Sequence, residues 1–192
     1  MAIPGKAIGV VLAIVLVAFG LVLSYARLTG LTAHGTPGRV ETALAGLVLS
    51  WAIPASDRER SNPVPRTDEA VRAGLEHFAD HCASCHANDG SGDTDIGRNL
   101  YPPAPDMRLA ATQELSDGEL FYIIEHGVRF TGMPAWRTGT GEGEDSSWHL
   151  VHFLRRLPSL TPQEVEEMKG MNPRPPAEIR QEIEEQRFLE GK

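Results

Sequence analysis

The first apolar feature of the chain is the uncharged run AIGVVLAIVLVAFGLVLSYA at residues 7–26, which ends at Arg27. Twenty residues at a helical rise of about 1.5 Å each cover the ~30 Å hydrocarbon layer of a bilayer. A cleavable signal peptide is the competing interpretation, because Ser24 and Ala26 offer small residues for cleavage. The run exceeds the usual ~7–15 residue signal core, so the pattern favours a retained transmembrane anchor within residues 1–27.

A second apolar stretch, ALAGLVLSWAI at residues 43–53, is too short to span a bilayer. Large apolar side chains recur at helical spacing from Val40 to Trp51, and Pro54 stops the pattern. This predicts a short amphipathic helix that lies in the membrane interface or packs on the downstream domain or a partner subunit. The charged, proline-rich residues that follow predict a semi-rigid linker, so we assign 28–66 to a linker containing this helix.

Three further segments have the periodicity and the caps of helices: residues 67–82, 115–127 and 146–157. The first has Thr67 as its cap, followed by two acids in the first turn. The second opens with a capping box of Ser116 and Glu119, and the third stops at Pro158. Strand-like alternation is not apparent between them, so the sequence predicts a mostly α fold.

The last segment, residues 158–192, is strongly charged. Thr161, Pro162 and Glu164 predict one helix start, and a second charged helix follows Pro176. The segment holds too few apolar residues for a domain of its own. We therefore predict a C-terminal extension that is either solvated or ordered against a partner.

The formal net charge of −8 argues against a nucleic-acid partner, because a phosphate binder needs a basic face. Between Asp57 and Leu160 there are seventeen acidic residues, ten arginines and no lysine. Such a surface favours a redox partner with a basic docking patch, although the same charge would also serve solubility alone.

Both cysteines lie in DHCASCHANDG at residues 80–90, as Cys82 and Cys85, with His86 directly after. Cys-x-x-Cys-His is the signature of covalent c-type haem attachment. A structural zinc site would need four ligands, usually in two paired clusters, and there is no second cysteine pair. A thioredoxin-like dithiol would need alternating strands and helices around it.

Several flanking features accompany this motif. Gly74 and Phe78 lead to Cys82 at four-residue steps, and Leu150 and Phe153 lie on the last predicted helix of the domain. The segment TGMPAW occupies residues 131–136. In this combination residues 67–157 resemble a class I cytochrome c domain, in which a glycine and an aromatic residue of the first helix cross a Leu-x-x-aromatic pair on the last.

The resemblance implies one covalent haem c, tethered by Cys82 and Cys85, with His86 and Met133 as the axial ligands of the iron. A His/Met pair is associated with cytochromes c and a raised reduction potential. Met107 is the other methionine of the domain, and we interpret it as a packing residue.

The family pattern also assigns residues around the haem. A carbonyl of Pro102 or Pro103 would accept a hydrogen bond from the ligand histidine. Arg98, Tyr101 and Trp136 are candidate donors to the haem propionates.

Two other metal sites deserve comparison. Asp89, Asp93 and Asp95 loosely suggest a calcium loop, but the EF-hand spacing is absent. Two histidine pairs, His77 with His81 and His149 with His152, lie on helices expected to cross, and solvated helix histidines are the commoner explanation.

The resemblance implies an electron carrier rather than an enzyme. It also implies a single-pass protein of the bacterial cytoplasmic membrane with its haem domain on the periplasmic side, because haem is attached outside that membrane. One alternative is a fixed haem subunit of a larger respiratory or photosynthetic complex. The other is a haem enzyme or gas sensor, which needs an open distal position that the methionine segment argues against.

Overall fold

The computed structural model describes residues 5–30, 32–174 and 176–190. Within those ranges the regular structure is helical and contains no β-strand, which confirms the predicted mostly α fold. The α-helices are α1 (Gly5–Thr29), α2 (Arg39–Ala52), α3 (Ala55–Arg58), α4 (Asp68–His77), α5 (Ala83–His86), α6 (Asp95–Arg98), α7 (Ala110–Gln113), α8 (Asp117–His126), α9 (Gly141–Arg156), α10 (Pro162–Lys169) and α11 (Pro176–Leu189).

The chain divides into two compact units, Met1–Gly35 and Thr36–Lys192. The first unit contains α1, whose segment Ala7–Thr29 has a mean hydropathy of 2.9. By length and composition, α1 is the one helix in the described ranges that could cross a membrane, although a signal sequence would meet the same test. Its apolar side chains are exposed, as those of a lipid-facing helix would be.

The core of the second unit forms where α4 crosses α9. The side chain of Thr67 caps α4 as predicted, accepting a hydrogen bond from the Ala70 amide at 3.2 Å. A Cβ atom at Gly74 would lie 2.1 Å from the backbone oxygen of His149, so only glycine permits this close approach. Next to the crossing, the rings of Phe78 and Phe153 meet at a centroid distance of 5.0 Å.

Helix α8 packs on the other side of α9. Its start has the predicted capping box, in which Ser116 and Glu119 each bond the other's backbone amide. The Phe121 ring of α8 stacks on the Trp148 ring of α9 at a centroid distance of 4.0 Å. The Arg60 guanidinium lies 4.5 Å from the Phe121 centroid, in cation–π range. Helix α9 is thus the common support of α4 and α8.

The helix predicted over residues 67–82 changes its winding before it ends. After α4 the chain continues as a π-helix over Phe78–Cys82 and then as α5, without an intervening loop. Single π turns inside helices are frequent at functional sites. The hydrophobic spacing does not report this change, because it samples side-chain positions and not the hydrogen-bond partner of each carbonyl.

Helix α9 begins at Gly141, five residues before the start predicted from its apolar stripe. The side chain of Thr140 accepts a hydrogen bond from the Gly143 amide at 3.1 Å and caps the helix. The early turn contains Gly, Glu and Asp and no large apolar residue, so the hydrophobic pattern gives no signal there.

The segment predicted as a linker is fastened to the second unit. The Ser116 hydroxyl donates to the Arg58 carbonyl at 2.7 Å, and the Asn62 side-chain amide donates to the Trp148 carbonyl at 3.0 Å. Farther along, His152 Nε2 lies 2.8 Å from the Val64 carbonyl oxygen. The compact unit therefore extends upstream of the boundary predicted at residue 67, through contacts that composition does not reveal.

The first part of the C-terminal extension also belongs to this body. Met168 of α10 is completely buried in the core. Glu167 pairs with Arg72 of α4 at 2.7 Å, and Glu164 pairs with Arg156 of α9 at 3.1 Å. Helix α10 is thus ordered against the chain's own domain, whereas α11 exposes its apolar residues.

We expect Gly74→Ala to destabilise the domain by about 2–3 kcal/mol, because the new methyl group collides with the α9 backbone. This loss outweighs the gain in helix propensity of up to about 1 kcal/mol. Urea denaturation followed by circular dichroism measures the change. Gly46→Ala on α2 is the matched control, since a Cβ there has nothing within 4 Å. Equal stability of Gly74→Ala and the native chain would contradict the proposed role of the crossing.

Candidate haem site

The two thiols and the adjacent histidine lie on consecutive helical turns. Cys82 is the last residue of the π segment, while Cys85 and His86 belong to α5. Both cysteines are half-buried, and neither forms a disulfide. The next residue, Ala87, takes a φ of 59°, which ends the helix sharply and turns the chain away. We call residues 82–86 the attachment segment.

The loop that follows, residues 87–106, is tied back to the attachment segment through backbone carbonyls. The Gly92 amide donates to the His86 carbonyl at 2.8 Å, and the Thr94 hydroxyl donates to the Cys85 carbonyl at 3.2 Å. A Cβ at Gly97 would lie 2.2 Å from that same Cys85 oxygen. This loop, called the proline loop below, therefore packs directly on the attachment segment.

The electrostatics of the thiols distinguish between the chemistries open to a cysteine pair. Burial, together with the neighbouring Cys85, raises the pKa of the Cys82 thiol to about 12. A catalytic dithiol needs the opposite shift, because the thiolate is the nucleophile and thioredoxin-like motifs lower the pKa. The environment of Cys82 therefore argues against a redox dithiol.

His86 carries the clearest sign of a missing partner. Its Nδ1 atom is buried and has no hydrogen-bond partner. Burial lowers the pKa of the imidazole, and the Pro105 carbonyl raises it to a smaller extent. The backbone carbonyl that acts on the pKa of this ring is that of Pro105, and a hydrogen bond from His86 to Pro102 or Pro103, which the family pattern implies, stays a prediction. All three prolines belong to the run YPPAP, and the sequence could not select among them.

Met133 lies half-buried in a tight loop after α8, residues 127–136, which we call the methionine loop. The Val128 amide donates to the Met133 carbonyl at 3.1 Å, and the Met133 amide donates to the Thr131 hydroxyl at 3.1 Å. The Trp136 amide then donates to the Ile124 carbonyl at 3.1 Å, at the end of α8. These bonds hold the backbone of Met133 in place on both sides.

Two contacts bring the methionine loop to the attachment segment. Gly132 lies against Leu100 of the proline loop, so that a Cβ there would be 2.6 Å from the Leu100 side chain. On another side, the rings of Trp136 and His81 meet edge to face at a centroid distance of 5.4 Å. His81 directly precedes Cys82. The methionine loop therefore lies next to the attachment segment, with Leu100 on one side and His81 on the other as the residues it contacts.

Arg98 and Tyr101, two of the candidate donors to the haem propionates, both contact carboxylates of the chain itself. Arg98 is exposed and pairs with Asp93 and, at 2.5 Å, with Asp95. The Tyr101 hydroxyl lies 2.8 Å from both carboxylate oxygens of Glu41 on α2. That contact ties the proline loop to α2, and sequence patterns gave no signal of it.

Trp136 packs against the core, and Met107 is buried within it at 8% exposure. The burial of Met107 agrees with its interpretation as a packing residue. The Met107 amide donates a hydrogen bond to the Gly90 carbonyl at 2.8 Å, and this bond anchors the end of the proline loop.

In the part of the chain that the structure describes, no three His, Cys, Asp or Glu side chains lie together as ligands of a metal ion would. The His77 and His81 rings contact each other at 4.9 Å. Burial, followed by the neighbouring His81, lowers the pKa of His77.

Taken together, the donor set fits a c-type haem. An imidazole with an unpartnered buried nitrogen follows two adjacent thiols, and a thioether loop packs beside them. Imidazole and thioether are the axial pair of cytochromes c, and the thiols have the spacing for covalent attachment. His86 and Met133 would bind the iron, and Cys82 and Cys85 would hold the macrocycle.

Comparison with known proteins also points to a c-type cytochrome. Residues 69–154 match the family model of cytochrome c oxidase, cbb3-type, subunit III. A cbb3-type cytochrome c oxidase subunit CcoP from Cereibacter sphaeroides is 28% identical over 131 residues, which cover 67% of this chain and 41% of the relative. A subunit FixP from Rhizobium meliloti is 33% identical over 98 residues, covering 48% of this chain and 29% of the relative.

The chain therefore spans less than half the length of these curated relatives. The matched region begins inside α4 and ends inside α9, so it includes the attachment segment, the proline loop and the methionine loop. Helix α1 supplies the candidate membrane span upstream of this region. On these grounds residues 69–154, less than half of the chain, are similar to subunit III of cbb3-type cytochrome c oxidases.

Proposed function

We propose that this chain transfers single electrons through one covalently bound haem c, with His86 and Met133 as axial ligands. The observation that carries the proposal is the packing of the methionine loop beside the attachment segment, through Leu100 and through the ring contact of His81 with Trp136. The single cysteine pair of the sequence accounts for one haem.

Each residue contributes in a different way. Thioether bonds from Cys82 and Cys85 would fix the macrocycle to the end of the π segment. Burial favours the neutral imidazole of His86, which is the form that ligates a metal. The soft thioether of Met133 would favour ferrous iron and raise the reduction potential. When bound, the haem supplies the ferric–ferrous couple.

Two filled axial positions suit electron transfer better than catalysis at the iron. The methionine loop is held by hydrogen bonds on either side of Met133, so its thioether is not carried by a free segment. A haem enzyme or gas sensor needs a distal position that opens to a small molecule. The geometry of the methionine loop therefore supports an electron carrier over a haem enzyme or a gas sensor.

The proposed location is the periplasmic face of the bacterial cytoplasmic membrane, with α1 as a single-pass anchor. Length and composition of α1 support a span. Its flanking charges hardly decide the orientation, and the argument instead comes from the chemistry, since c-type haem is attached outside the cytoplasm in this family. A redox partner with a basic docking patch would complement the acidic surface of residues 57–160.

A fixed haem subunit of a larger membrane complex is the second candidate. The names of the relatives favour it, because both are subunits of cbb3-type oxidases. The exposed apolar residues of α11 also favour it, since a partner would cover them.

Covalent attachment is tested on protein purified from a host that matures cytochromes c. We expect the haem to stay with the chain in a denaturing gel, and intact mass and iron analysis to give one haem per chain. The double variant Cys82→Ala/Cys85→Ala should lose all bound haem on denaturation, because neither thioether can form. Haem that remains covalently bound in this variant would contradict the assignment of the thiols.

The axial ligand is tested by spectroscopy. We expect Met133→Ala to abolish the weak charge-transfer band at the red end of the ferric spectrum that arises from sulfur coordination, and to lower the reduction potential. Met107→Ala is the matched control: it should keep the band although loss of a buried side chain destabilises the fold by about 2–5 kcal/mol. A band that survives Met133→Ala and disappears in Met107→Ala would reverse the assignment.

Purification from native membranes in mild detergent separates the carrier from the subunit. A mobile carrier should elute as a single haem protein, whereas a fixed subunit should elute with other chains at constant ratio. Chromatography with mass spectrometry of the eluted chains is the measurement. A lone monomer would rule out the subunit.

A further inference from the structure

Helix α2 has a face that nothing in its own domain covers. None of its residues is buried. Five large apolar side chains of α2 are between 57% and 83% exposed, and we call them the apolar stripe: Val40, Leu44, Leu47, Val48 and Trp51. At 3.6 residues per turn these five positions fall on one side of the helix. An exposed stripe of this kind indicates a contact with another apolar phase or molecule.

The opposite side of α2 differs from the apolar stripe mainly in having smaller side chains, and not in carrying charge. It carries the small residues Thr42, Ala45, Gly46 and Ala52 together with Leu49, which is half-buried. The only charged residues of the helix, Arg39 and Glu41, lie in its first turn. The large apolar residues that α2 exposes therefore share one side of the helix, where a surface could cover them together.

Both ends of α2 are held by the haem domain. In the first turn, the Glu41 carboxylate accepts a hydrogen bond from the Tyr101 hydroxyl of the proline loop at 2.8 Å. At the other end, the Arg58 guanidinium donates to the Ser50 and Ile53 carbonyls and pairs with Glu119 of α8 at 3.3 Å. A surface that binds α2 therefore also positions the haem domain.

The chain length between α1 and α2 limits where that surface is. Residues 30–38 separate the two helices. Even fully extended, nine residues reach only roughly 35 Å at about 3.3–3.6 Å for each step. If α1 spans the membrane, as proposed above, α2 begins within that distance of the lipid. Such tethering produces a high effective concentration, so even a weak affinity for lipid suffices.

We propose that the apolar stripe of α2 lies in the lipid interface of the membrane that α1 spans, so that α2 is a second membrane contact that orients the haem domain. The occupant is the phospholipid surface. Trp51, at the end of the stripe, has the amphipathic ring that is enriched at headgroup level. With one arginine, α2 relies on apolar contact and tethering more than on attraction to anionic lipid.

The test uses the full haem-loaded chain in nanodiscs of phosphatidylethanolamine and phosphatidylglycerol. One variant carries Leu47→Cys in the stripe, and its matched control carries Ala45→Cys on the opposite side of the same helix. Each is treated with a charged, membrane-impermeant maleimide, and peptide mass spectrometry locates the modified cysteine. Because lipid disfavours the reactive thiolate and excludes the reagent, the Leu47→Cys thiol should react at least about tenfold more slowly. Equal rates would overturn the proposal.

A photoreactive benzophenone at the same position distinguishes lipid from protein. In native membranes, Leu47→Cys labelled in this way should cross-link to phospholipid. A cross-link to a second protein chain would overturn the proposal, because the stripe would then be covered by a partner subunit or a second copy. Intact mass of the purified chain reports separately whether α1 is retained, so loss of the anchor is distinguishable from a failure of the stripe to bind lipid.

Discussion

The close approach of α4 and α9 at Gly74 is the contact on which the rest of the structure depends. The α9 backbone at His149 occupies the space that a side chain at position 74 would need. Because the π segment and α5 follow α4 without a loop, the crossing also determines where Cys82 and His86 lie. A helix that crossed at a greater distance would separate the Phe78 and Phe153 rings and displace the attachment segment with them.

The same helix α9 supports the other half of the site. Helix α8 packs on it through the stack of Phe121 on Trp148, and the methionine loop begins where α8 ends. The Ile124 carbonyl near that end accepts a hydrogen bond from the Trp136 amide, which fixes the return of the loop. The positions of the attachment segment and of the methionine loop therefore both depend on packing against α9. One helix thus sets the relation between His86 and Met133, the two proposed ligands, which lie 47 residues apart in the sequence.

Sequence patterns predicted those features of the structure that depend only on residues close together in the chain. Helix caps, the thiol spacing and the Gly74–Phe78 steps depend on residues within one or two turns, and the structure contains the predicted helices and caps. Contacts between distant segments could not be predicted in the same way. Periodicity could not find that Met168 of a charged extension is buried in the core, nor that Tyr101 of the proline loop contacts Glu41 of α2. Each of these depends on a tertiary contact that leaves no repeat in the sequence.

Helix α2 connects the question of the membrane with the question of function. A mobile carrier must present its haem edge to a donor and then to an acceptor, and rotation about a flexible tether would assist it. Here the tether is short, and α2 is held at Glu41 by Tyr101 of the proline loop and at its other end by Arg58 of α3. A second contact on the same body would restrict that rotation and keep the proline loop at a constant height above the lipid. Such a restriction suits a haem whose donor and acceptor also hold fixed positions in the membrane, as they do within a complex.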